Sequence, residues 1–97
     1  MENWIFEIVD KSRRKIHLSK ERWSHIRKKH PEIEELELIE QTIRSPDKIT
    51  ENYNDETVCR YYKYYKSRKP PKNYLLVIIK YLNGDGYVVT ALFDKHI

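Results

Sequence analysis

The 97-residue chain is poor in cysteine, with Cys59 alone, and that scarcity closes off two classes of protein. One thiol cannot form an internal disulfide and cannot supply a Cys/His zinc quartet, so neither a disulfide scaffold nor a zinc ribbon is available. Lying in a strand-like run, Cys59 reads as a buried, neutral thiol and not as a nucleophile. A basic-then-apolar N-terminal signal is missing, as is any stretch of some 18 apolar residues, which leads us to expect a soluble, cytoplasmic protein with no membrane association. No repeat, low-complexity segment or linker interrupts the chain, so residues 1–97 are expected to form a single domain. Acids are absent from residues 58 to 80, and elsewhere they gather in residues 32 to 56. That clustering offers no metal cage near the basic segments, and no cofactor is expected.

What is present is charge sorted by position. Charged residues make up 35% of the chain and aromatics 12%, eight of them tyrosine, a balance that fits a folded domain and not a disordered tail. Residues 11–30 carry nine bases against Glu21 alone, and residues 58–80 carry seven bases; between them, residues 31–57 hold nine acids against Arg44 and Lys48. If the fold joins the two basic segments, they make a polyanion-binding cleft; otherwise they are two solvated faces.

The first basic segment contains Arg22-Trp23-Ser24-His25-Ile26-Arg27-Lys28-Lys29-His30-Pro31-Glu32, which reads as a helix. Ser19 can cap its start, Glu21 suits the positive end of the dipole, and Pro31 disfavours helical geometry at His30. Trp23, Ile26 and His30 form one stripe; Arg22, His25 and Lys29 form a neighbouring one, so one is expected to pack and the other to face out. Side chains five positions apart diverge by about 140°, so His25 and His30 cannot share a metal through this helix. His30 fits a helix-terminal, partly buried imidazole. His25, on the basic stripe, suits proton transfer or phosphate contact.

Ahead of the helix, Trp4-Ile5-Phe6-Glu7-Ile8-Val9 and Lys15-Ile16-His17-Leu18 read as a short hairpin. After it, Pro31-Glu32 is expected to open a second, acidic amphipathic helix along Ile33, Leu36 and Ile43, ending near Ser45 before Pro46. Asp47 to Tyr53 reads as a strand leading to a turn at Asn54-Asp55-Glu56. From Val58, a period of two sets Arg60, Tyr62 and Tyr64 on one side. A basic loop from Lys66 to Asn73 follows, and Tyr74 to Leu82 is the most apolar run. Asn83-Gly84-Asp85-Gly86 signals a hairpin into Tyr87 to Phe93. The expected fold is α+β: a short N-terminal hairpin, two helices packed on one sheet face, then three or four antiparallel strands.

In that arrangement Lys80 and Thr90 lie on adjacent strands and can share a face, with Arg60 on the strand before. Two cations and a hydroxyl suit a pentavalent phosphate, a histidine can move a proton, and RNA's 2′-hydroxyl makes an internal nucleophile that needs no metal. Arg22, Lys29, Tyr62, Tyr64, Lys66, Arg68, Lys69 and Lys72 would supply charge and stacking surface for the nucleic acid.

Trp23-Ser24-His25-Ile26 with His30-Pro31-Glu32, then Arg60-Tyr61-Tyr62, the strand ending in Lys80, and Val88-Val89-Thr90-Ala91 resemble the small phage- and plasmid-associated proteins of the barnase, EndoU, colicin-tRNase and RelE-like nuclease superfamily, over residues 16 to 93. The resemblance implies helices followed by a four-stranded antiparallel sheet. It also implies a metal-independent RNase, often a toxin held by an antitoxin protein, acting through His25 or His30, Arg60, Lys80 and Thr90. Structural roles compete at each position: Lys80 can snorkel, Thr90 is an ordinary strand former, and Arg60 can pack on tyrosine. Two other classes fit the same residues, a non-catalytic nucleic-acid-binding module and a protein-interaction domain whose acidic helix meets a basic partner.

Overall fold

Alternation along the strands decides which side of this protein is covered. Leu75, Val77, Ile79 and Tyr81 are buried on one side of their strand, whereas Tyr74, Ile78, Lys80 and Leu82 are less covered on the other. The computed structural model describes residues 4–10, 12–66 and 73–95. Its elements run β1 (Trp4–Val9), β2 (Lys15–Ser19), α1 (Lys20–Lys29), α2 (Leu36–Arg44), β3 (Lys48–Asn52), β4 (Asp55–Tyr64), β5 (Tyr74–Leu82) and β6 (Asp85–Asp94). The six strands form one sheet in the order β1-β2-β6-β5-β4-β3.

The expected three or four antiparallel strands are therefore corrected to six in a mixed sheet. The N-terminal hairpin is its continuation: β2 pairs with β6 in parallel, Ile16 opposite Gly86 and His17 opposite Tyr87. Gly86 makes this joint possible, because a Cβ there would stand 2.6 Å from Ile16 Cδ1 and 2.8 Å from Tyr81 Cε1. The β5–β6 turn follows its sequence signal, with Asn83 (φ 54°) and Gly84 (φ 86°) both left-handed as a two-residue hairpin of this type requires. The preceding turn falls earlier than expected, at Tyr53-Asn54, since Asn52 already pairs with Asp55.

Both helices lie on one face. Ile26 of α1 and Ile39 and Ile43 of α2 join Phe6, Ile8, Ile16, Leu18, Leu75, Val77, Ile79, Val88, Ala91 and Phe93 in one core. Burying a side chain such as Ile26 contributes roughly 1.5–3 kcal/mol. Ser19 caps α1 as its sequence suggests, its Oγ accepting the Arg22 N–H at 3.0 Å. The helix closes at His30, whose N–H donates to the Ile26 carbonyl at 2.7 Å. The second helix starts at Leu36 and not at Pro31. Arg27 holds the intervening chain, donating from Nη1 to the carbonyls of Pro31 (2.8 Å) and Ile33 (2.7 Å), and Ile33 is spent as a fully buried core residue outside any helix.

Candidate active site

The uncovered face of the sheet carries one continuous row of polar and aromatic residues. Residues opposite each other in register project to the same side, and the pairs Glu7–His17, His17–Tyr87, Tyr87–Lys80 and Lys80–Val58 run across β1, β2, β6, β5 and β4. The next row is Thr90, Ile78, Arg60 and Thr50. Arg60, Lys80 and Thr90 thus share the open face, as the sequence led us to expect, through a device that it hid. Simple alternation from Tyr87 would turn Thr90 toward the helices. The register shifts between Ile78 and Ile79, Val89 is the extra residue, and the buried set steps from Val88 to Ala91. That bulge rotates Thr90 outward.

The helix histidines do not join them. The α1 helix packs on the covered side through Ile26, with Trp23 against the core, which puts His25 and His30 across the sheet from Lys80. His25 is exposed and lines a depression of about 260 Å³ with Ser19, Glu21 and Arg22. His30 is half-buried, its Nδ1 3.7 Å from Glu32 Oε2. The expectation that either imidazole reaches the Lys80 cleft is corrected. Arg22 and Lys29 are exposed on the same helix, so they too stand away from the open face. Tyr62 and Tyr64 lie on it by register with Leu76 and Tyr74, Lys66 follows β4 and is exposed, and Arg68, Lys69 and Lys72 lie outside the described residues.

The imidazole on the open face is His17. It is 5% exposed, stacked against Tyr87 with ring centroids 5.0 Å apart and covered by Trp4 at 4.7 Å. Its Nε2 stands 3.1 Å from Asp85 Oδ2, and Nδ1 lies 2.9 Å from Glu7 Oε2 at an angle that makes no hydrogen bond. These carboxylates meet opposite ring nitrogens, so the three groups do not converge on a point where a metal would sit. Among the described residues, no group of three or more His, Cys, Asp or Glu is placed to hold one. The reachable members are Glu7 (46% exposed) and Asp85 (44%), while the imidazole behind them stays covered.

Lys80 is held from the other end of the row. Its Nζ donates to Asp55 Oδ2 at 2.8 Å, and Asp55 Oδ1 accepts from the Thr57 N–H at 3.0 Å. The Lys80 hydrogen bond, aided by those from Thr57, lowers the Asp55 carboxyl to about 2, which keeps it ionised and the ammonium tethered at neutral pH. Strands stand about 4.8 Å apart, so His17 and Lys80, with β6 between them, are separated by roughly 10 Å at Cα. The floor of that gap is Tyr87.

The sequence itself offered a signal for His17. In Lys15-Ile16-His17-Leu18 a period of two opposes the histidine to its aliphatic neighbours, so burial of Ile16 and Leu18 turns it to the other face. Glu7, Asp85 and Asp55 could not be assigned with it, because β1–β2, β2–β6 and β4–β5 pairing brings them to the row.

Residues 5–96 match the family described as phage-Barnase-EndoU-ColicinE5/D-RelE like nuclease2. The chain belongs to that family. The match covers nearly the whole sequence and includes every residue of the open-face rows. Comparison with curated proteins and with solved structures gave no match. Membership makes this a nuclease-type domain, and the open face brings two of its cations, Lys80 and Arg60, together with the reachable carboxylates Glu7 and Asp85. Among the described residues no helix is long and apolar enough to cross a membrane.

Proposed function

We propose that the protein is a metal-independent endoribonuclease whose reaction runs on the open sheet face. The observation that carries this reading is that Lys80, Arg60 and Thr90 share that face with the Asp85–His17 pair. Lys80 and Arg60 stabilise the charge that develops on the phosphorane, and Thr90 donates a hydrogen bond to a phosphoryl oxygen. Asp85 is the group that touches the substrate. It takes the 2′-hydroxyl proton, while His17, bonded behind it, holds its orientation. The 2′-oxygen bonds to phosphorus, the phosphorus–5′-oxygen bond breaks, and the pair returns a proton to the leaving 5′-oxygen. The products are a 2′,3′-cyclic phosphate and a free 5′-hydroxyl. Asp85, oriented by His17, thereby takes the proton-transfer role first given to His25 or His30.

The test is cleavage of RNA in chelator, followed by end-group analysis. A cyclic phosphate is expected, and loss of activity in chelator or a 3′-hydroxyl product overturns the mechanism. A toxin role, with an antitoxin as partner, follows if cleavage is unrestrained in the cell. Induced expression then arrests growth, and a Lys80→Ala form does not.

One observation favours a second reading. Lys80 is already paired with Asp55, and His17 is covered, which suits binding without cleavage. A module of that kind binds single strands with an affinity that falls steeply with salt and leaves them intact.

A further inference from the structure

Beyond the reacting row, the open face continues along β4 as Arg60, Tyr62 and Tyr64. Tyr62 faces Leu76 and Leu92 across the strands, and Tyr64 faces Tyr74, whose ring meets it edge-on at 5.4 Å. Tyr64 is 49% exposed, and Leu76 beside it is nearly covered, so the strip has an apolar floor with a ring standing at its far end. A cation stands at the near end. No acid occurs from residue 58 to residue 80, and Lys66, just past the end of β4, is exposed.

We propose that this strip is a subsite for single-stranded RNA, in which bases on one side of the cleaved bond stack on Tyr62 and Tyr64. The inference rests on the open face being the RNA face. Charge places the occupant on the strip: a ligand with flat apolar rings and a regular anionic backbone matches tyrosines flanked by Arg60 and by the exposed Lys48, which is in register with Tyr62. Asp47, accepting from the Tyr64 N–H, and Asp94, in register with Tyr74, keep the phosphates at the Arg60 and Lys48 side. Bases in a duplex have both faces covered by their neighbours, so only an unpaired strand can offer them to tyrosine. Successive outward residues of a strand are about 6.8 Å apart, so Arg60 to Tyr64 spans roughly 14 Å. At a rise of about 3.4 Å per stacked nucleotide, that length holds about four nucleotides. The enzyme should therefore prefer unpaired segments and gain affinity with substrate length.

The experiment compares a dinucleotide, a single-stranded octanucleotide with the same scissile step, and the octanucleotide annealed to its complement. Tyr64→Ala and Tyr62→Ala are expected to raise KM for the octanucleotide by about 10-fold, within the range that loss of one base–aromatic stack produces, with kcat and dinucleotide cleavage unchanged. Tyr64→Trp, which keeps a ring, should restore the lower KM. Equal KM for the octanucleotide in wild type and both alanine variants overturns the subsite, as does cleavage of the duplex as efficient as that of the single strand. Tyrosine ring resonances of the wild-type protein give a readout independent of the variants: the Tyr62 and Tyr64 signals should shift with the octanucleotide and not with the dinucleotide. If no RNA is cleaved, a fluorescent octanucleotide whose affinity depends on Tyr64 keeps the subsite and removes the cleavage reading. Dinucleotide cleavage with no Tyr64 effect on the octanucleotide does the reverse.

Discussion

Lys80 and Tyr81 are neighbours on β5 and end in polar clusters on opposite sides of the sheet. On the covered side, Asp10 Oδ2 accepts from Tyr61 at 2.6 Å and Tyr81 at 3.0 Å, and the two hydroxyls also contact each other. Its Oδ1 accepts from the Ser12 N–H and hydroxyl and the Arg14 N–H, and the Arg14 guanidinium lies 3.6 Å above the Tyr81 ring. Burial raises the Asp10 carboxyl, yet the hydrogen bonds from Ser12, Tyr61, Arg14 and Tyr81 outweigh it and hold it below its ordinary value. Burial also pushes Tyr81 up to about 12, so both phenols stay protonated as donors. On the open side, Lys80, Asp55, Asp85 and Glu7 are each about one-third to one-half exposed, and Nδ1 of His17 lacks a hydrogen bond. One cluster has its carboxylate and both phenols bonded and nearly covered, which suits a fastener; the other is reachable and incompletely bonded, which suits chemistry.

The largest expected effect breaks the open side alone. Lys80→Ala and Asp85→Asn should each lower RNA cleavage by roughly 10²- to 10⁴-fold while the melting transition stays near wild type. Full activity in both variants, measured with RNA in chelator, would falsify the assignment of the open face.

Breaking the covered side should do the opposite. Asp10→Ala leaves one phenol O–H and the turn's N–H groups without their acceptor, and is expected to cost about 3 kcal/mol in denaturant unfolding, with activity per folded molecule retained. Because the folded Asp10 carboxyl is held low, its contribution is complete above the unfolded value near ~3.9 and is lost as pH falls through the folded one. Wild type should therefore lose stability in acid more steeply than Asp10→Asn. Parallel acid limbs would remove Asp10 from that role.

Gly86 is the joint that both sides share, since its vacant Cβ position faces Ile16 and Tyr81 while Tyr87, next along β6, stacks on His17. Gly86→Ala overpacks that crossing and should destabilise by about 1–3 kcal/mol, with cleavage falling as β2 shifts from β6. Unchanged unfolding and unchanged cleavage would show that the joint yields without consequence. The smallest effects belong to residues on neither cluster. His25→Ala and His30→Ala should alter stability by no more than about 0.5–1 kcal/mol and leave cleavage within a few-fold of wild type. A large loss of cleavage in either would return the helix to the site.

Local chemistry made several elements legible. Ser19 and Pro31 bracket α1, Asn83-Gly84 dictates a hairpin by its left-handed angles, and the apolar run from Tyr74 to Leu82 is a central strand. These signals act within a few residues, where sterics and backbone hydrogen bonding decide the outcome. The side on which each polar residue lies was only partly legible. Period two ties Arg60 to Tyr62 and opposes His17 to Ile16 from sequence alone, and it says nothing about which face the helices cover. It also fails across the Val89 bulge, which turns Thr90 by one position and depends on how β6 pairs with β5.

The sequence by itself determined the helix caps, the turn, the charge blocks and a resemblance to a nuclease superfamily that the family match upholds. Only the tertiary structure decided that β2 lies beside β6, that the hairpin extends the sheet to six strands, and that the open-face histidine is His17 and not His25 or His30. The physical reason is reach. Caps, turns and alternation are settled by atoms close along the chain, whereas the row from Glu7 to Lys80 is assembled by pairing between residues up to 70 positions apart, His17 with Tyr87.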